Sequence, residues 1–214
     1  MFHQPVPLFP LPNVVLFPQA VLPLHIFEPR YRAMTSDALA GLQQIAIALL
    51  KPGFEHDYPG KAAIEPVICI GKIVAHQELD DGRYHLLLGG LGRARIVREV
   101  AEMPYRSAVI ELIPEPVDDG AVTAEERNLL KRIFDTGPLA ATEMGQRFAE
   151  LLAAGTPIGS VLDLVAFHLV NDAAIKQAVL NEPDPARRFA LLTPVLRELG
   201  RHQKSNGGED ASLN

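Results

Sequence analysis

His76, Glu78 and His85 lie close together in the chain and have the side-chain types of a metal centre. Two imidazoles and a carboxylate are a zinc-competent set, and a zinc ion with an open position activates water for hydrolysis. Between them stands Asp81-Gly82, the strongest turn signal in the sequence, which reads as a two-residue type I′ hairpin turn. That register pairs Leu79 with Tyr84, Gln77 with Leu86 and Ala75 with Leu88. It sets His85 opposite Glu78, with His76 diagonally near. The face continues through Asp80 and Arg83, so its first reading is a solvated hairpin face, with a small metal-dependent hydrolase as an alternative. No metal or other cofactor is expected.

The remaining reactive types point away from catalysis. Cys69 is the only cysteine and sits in Val67-Ile68-Cys69-Ile70, the setting of a packed thiol. Gly89-Gly90-Leu91-Gly92 looks like a phosphate-cradling loop, but no helix follows it, so turn or bulge geometry is expected. G-x-S-x-G, H-E-x-x-H and G-x-x-x-x-G-K-[ST] are all missing from the sequence. Glu28, Arg30 and Tyr31 are polar within an apolar segment and are expected to pair locally at a helix start. Lys72, Arg83, Arg93 and Arg95 are candidates for a small basic patch, the feature an RNA-binding reading requires. Phe54 and Tyr58 stand in the Gly/Pro loop from Lys51 to Lys61, which gives no reason to bury them, and are the candidate contacts for apolar segments of a client polypeptide.

Composition narrows the classes further. The 214 residues are 48% hydrophobic and 21% charged, with a formal net charge of −6, the profile of a folded chain without a positive field to collect phosphates. Nucleic acid is therefore a poor partner. One cysteine excludes an intramolecular disulfide framework and fits a reducing compartment. Prolines at 5, 7, 10, 12, 18 and 23 break the apolar run at the N-terminus, so it reads as neither a leader nor a membrane span, and a cytoplasmic, soluble protein is expected.

Candidate residues must be positioned by two kinds of structure. From the N-terminus to Ile113 the pattern is strands, with prolines at ends, bulges or edges and one short helix from Pro29 to a left-handed stop at Gly41. From Thr123 the period becomes helical. Thr123 with Glu126 makes a capping box, and Ser160 with Asp163 a second one. Other helices run from about Thr142 to Ala154, after Asp172, and from Asp184-Pro185, with Pro194 expected to kink or interrupt the last. The expected organisation is α+β: strands over 1–113, a helical bundle over 114–200 and a disordered tail over 201–214.

Three segments together resemble the N-terminal domain of Lon proteases. They are Pro7-Leu8-Phe9-Pro10-Leu11-Pro12 through Leu22-Pro23-Leu24-His25-Ile26-Phe27-Glu28-Pro29-Arg30-Tyr31-Arg32, then Ile70-Gly71-Lys72-Ile73 with Asp81-Gly82-Arg83-Tyr84 and the run from Gly89 to Arg95, and finally the stretch from Val161 to Leu199. The resemblance spans about Pro5 to Leu199. It implies a PUA-like β pseudo-barrel subdomain followed by an α-helical bundle, used to engage polypeptides without catalysis. The implied partners are client polypeptides and a Lon protease, with self-association left open. The missing phosphate loop, and the lack of room for a Ser-Lys peptidase after the helices, assign any degradation step to a partner.

Overall fold

The computed structural model describes residues 5–56, 62–101, 103–116 and 122–201. Six strands, β1 (Val6–Leu11), β2 (Val21–Ile26), β3 (Gln44–Leu49), β4 (Val67–Glu78), β5 (Tyr84–Val100) and β6 (Ser107–Leu112), form one mixed sheet. Among the described residues six α-helices accompany it: α1 (Pro29–Ala40), α2 (Ala124–Lys131), α3 (Glu143–Ala153), α4 (Ile158–Leu169), α5 (Ala173–Asn181) and α6 (Pro185–Arg201). This is the α+β class.

The sheet runs β2-β5-β4-β3-β1-β6, and β6 also pairs with β5, so β1, β3, β4, β5 and β6 close into a ring with β2 added beside β5. Closure is possible because β5 is long: its first half lies between β2 and β4, and its second half between β4 and β6. Bulges at Ile70/Gly71, Ile73/Ala75 and Ile96/Arg98 bend the long strands where the ring turns. Pro7 pairs only with β6 and Pro10 only with β3, so neither must donate on both sides. Inside, Leu8, Ile68, Ile70 and Ile110 interleave with Ala46, Ala48, Ala94 and Ala108. A small ring leaves room for little more than such alternation of large and small side chains.

Phe9 alternates with Leu8 and packs outward on Tyr31 of α1, with ring centroids 4.4 Å apart. Helix α1 starts at Pro29 as expected. Gly41 is not its left-handed stop, since its φ is −112°; Gln43, at φ 59°, takes that conformation and donates to Ala38 O.

The described residues form two compact units. Residues up to Glu115 join Asp163–Pro183, and Pro116–Leu162 joins the residues from Asp184 on. This partition differs from a cut at 113/114. Asp163 and α5 bond to strands of the first unit: Gln177 Nε2 donates to Val67 O at 2.9 Å. In the second unit, Thr123 and Glu126 form the expected capping box, Thr142 caps α3, and Phe134 stacks on Phe148 at 4.7 Å. Asp172 caps α5 in the first unit. Helix α6 continues through Pro194 without interruption.

Candidate functional site

Around Asp81-Gly82 the chain turns through one more residue than a type I′ turn allows. Gly82 N donates to Leu79 O at 2.8 Å, Leu79 N donates to Arg83 O at 2.8 Å, and Gly82 lies at φ 76°. Asp80, Asp81 and Gly82 form a three-residue loop closed by a left-handed glycine, fastened by Arg83 Nε on Asp81 Oδ2 at 2.6 Å. The register of β4 against β5 is therefore shifted by one: Glu78 pairs with Tyr84, Gln77 with His85 and His76 with Leu86.

A one-residue shift exchanges faces. Cross-strand partners share a face and successive residues alternate, so His85 lies on the side away from His76 and Glu78. The three residues of the metal alternative are thereby not brought together. Among the described residues no group of three or more His, Cys, Asp or Glu is placed to hold a metal. Glu78 instead bonds Tyr84, whose phenol pKa is raised by burial and by that carboxylate.

The partner of His85 is His25 of β2, with ring centroids 4.9 Å apart in an edge-to-face arrangement. On the same side lie Pro23, Leu87 and Ala75 in one cross-strand row, and Val21 one row further. This face is open and largely apolar, with exposed Lys72 at the far end of the Val21–Gly89 row. Val21 is 48% exposed, Leu87 42%, Val74 59% and Phe27, just past β2, 60%. Pro23, His25, Gln77, His85 and Leu87 line a shallow depression of about 520 Å³ that His76 also borders, and its described lining holds no Asp, Glu, Lys or Arg. Among the described strands β2 hydrogen-bonds to β5 alone, so it also presents a strand edge. Sequence reasoning missed this face because the alternation Val21, Pro23, His25, Phe27 reads as part of a proline-broken apolar run; the signal was the period-two spacing itself.

The basic patch does not assemble. Arg93 is 1% exposed; its two terminal nitrogens bond both Asp163 carboxylate oxygens, at 2.9 and 2.6 Å, while Nε donates to Leu180 O at 3.0 Å. Glu115 accepts a further bond from Nη1. Burial opposes the charge, but Asp163 and Glu115 hold its pKa above the ordinary guanidinium range. Asp163 is thus no capping residue: α4 begins at Ile158, and Asp163 lies inside it. With Arg83 also paired, Lys72 and Arg95 are left as the exposed members.

The other singled-out residues take these places. Glu28 and Arg30 pair at 3.0 Å, and Arg30 lies over the Tyr31 ring at 4.6 Å. Cys69 is fully buried, which pushes its thiol up to about 12. Gly90 lies where the strand meets another backbone: a Cβ there would collide with the Phe17 carbonyl, and Gln19 N and Ala20 O bond the Gly90 peptide. Phe54 opens a single 3₁₀ turn, is half-buried, and lines a groove between its loop and α5. Tyr58 lies outside the described residues.

The family model described as the ATP-dependent protease La (LON) substrate-binding domain matches residues 5–198. Lon protease 2 of Myxococcus xanthus is 29% identical over 198 residues, covering 90% of this chain and 23% of that protein. The Lon protease of Anaeromyxobacter dehalogenans is 31% identical over 193 residues, covering 89% and 23%. The chain spans about a quarter of the length of these relatives. Among solved structures, the Lon N-terminal domain protein from Xanthomonas campestris superposes with a TM-score of 0.67 at 23% identity, covering 89% of this chain and 98% of that one. The N-terminal domain of the Mycobacterium avium complex Lon protease gives 0.69 at 17% identity, covering 91% and 99%.

Proposed function

Since the chain belongs to the Lon substrate-binding domain family, we propose that it is a non-catalytic polypeptide-binding module, and that its client lies on the open face of β2, β5 and β4. The observation that carries the site is the exposure of Val21, Phe27, Val74 and Leu87 around a depression whose described lining is free of fixed charge. A soluble chain has little physical reason to keep such a face unless something covers it. An extended segment fits best: its apolar side chains rest on alternate rows, and its backbone meets the free edge of β2. Pro23 sits on that edge without an N–H, which limits uncontrolled strand addition.

In this reading the closed strand ring is the PUA-like subdomain and serves as a rigid support for the face. Activity on a bound client, in particular degradation, belongs to a Lon-type partner in the cytoplasm, which makes this chain adaptor-like. Binding of a fluorescently labelled, permanently unfolded polypeptide tests the assignment. Val21→Asp with Leu87→Asp should weaken binding at least tenfold, since each buried aliphatic anchor contributes roughly 1.5–3 kcal/mol. Both positions are exposed, so thermal unfolding should stay where it is. Unchanged affinity in a folded double variant contradicts the site.

A further inference from the structure

The groove beside α5 has a chemistry opposite to that of the open face. It encloses about 770 Å³, and among its described lining residues Glu55, Glu65 and Asp172 carry carboxylates while none is Lys or Arg. Phe54 contributes a half-buried ring to one wall. Gln177, also lining the groove, is 4% exposed; its Nε2 donates to Val67 O and Asn181 Oδ1, both at 2.9 Å, and its Oε1 has no partner among the described residues. A buried acceptor without a donor is costly, and a donor-bearing ligand relieves that cost.

We infer that this groove is a second contact site for the client, selective for a segment in which Lys or Arg stands next to an apolar side chain. The apolar residue rests on Phe54, and the cation lies among Glu55, Glu65 and Asp172. An N–H of the same segment supplies the donor that Gln177 Oε1 lacks, once the amide turns out of its bonds to Val67 O and Asn181 Oδ1. Asp172 already accepts from Ala174 N and Ile175 N at the start of α5, so it is a fixed anionic point, while Glu55 is exposed and free to adapt. The inference rests on the polypeptide-binding reading and adds the charge class of the client.

Three labelled peptides of alternating Leu and a second residue, Lys, Gln or Glu, distinguish the two claims when titrated against the whole chain. The Lys peptide should bind at least tenfold more tightly than the Glu peptide, and the advantage should shrink as salt rises. Glu55→Gln with Glu65→Gln should remove most of that preference. Glu150→Gln with Glu198→Gln, which changes net charge equally at exposed positions elsewhere, should keep it. Phe54→Ala should weaken all three peptides severalfold with an unchanged melting temperature. If the Gln peptide binds but the Lys preference is absent, or survives Glu55→Gln/Glu65→Gln, the groove assignment is wrong and the open face stands. If no peptide binds, both readings fall together.

Discussion

Arg93 of β5 and Asp163 of α4, 70 residues apart in the chain, meet in a bidentate ion pair in which the two side chains are 1% and 2% exposed. A buried pair contributes modest net stability, but removing one partner strands the other charge without solvent. It also fixes where Asp163–Pro183 meets the strands, since Arg93 additionally holds Leu180 O.

Asp163→Ala is therefore expected to destabilise the protein by about 3–5 kcal/mol, measured by urea unfolding. Replacing both partners with apolar residues, Arg93→Met with Asp163→Leu, should cost markedly less than the single change. A single variant as stable as the parent would contradict the buried pair.

The turn that sets the register makes its own prediction. Gly82 is at φ 76°, and a Cβ there would press on Arg32 Nη2. Gly82→Ala should cost about 1 kcal/mol or more in unfolding free energy, because the side chain strains a left-handed position. Asp80→Ala, at an exposed position beside it, should cost much less.

Cys69 supplies a pH signature. Burial raises its thiol from 9.0 to about 12 in the folded state. Below the unfolded value the thiol is protonated in both states and its contribution to stability is fully present. As pH rises from 9 toward 12 the unfolded thiol ionises first, and that contribution is lost. Stability measured between pH 8 and 10.5 should fall more steeply in the parent than in Cys69→Ala. At pH 8 the folded chain should resist alkylation that proceeds readily in urea.

How far sequence carries depends on the range of the interaction involved. The helix starts at Thr123, Thr142 and Asp172 were legible because a cap is decided within a few residues. So were the strand-rich first half and the packed thiol of Cys69. The hairpin was legible as a hairpin but not in register, because Gly82 closes a three-residue loop as readily as a two-residue one, and that single residue decides whether His85 joins His76 or His25. The Arg93 to Asp163 pair was not legible: Ser160 to Asp163 matches a local capping pattern, and nothing local announces a partner so far back in the chain. The open face combines β2, β5 and β4, so it exists only once the strands are ordered.

We propose that an unfolded client lies on the face of Val21, Leu87 and Phe27. Photo-crosslinking tests it directly, with a benzoylphenylalanine placed singly at Val21, Leu87 or Leu191 and an unfolded polypeptide supplied as client. Leu191, 41% exposed on α6 of the second unit, is the exposed apolar control. Strong adducts are expected from positions 21 and 87 and few from 191. Equal adducts at all three, or adducts from 191 alone, would contradict it.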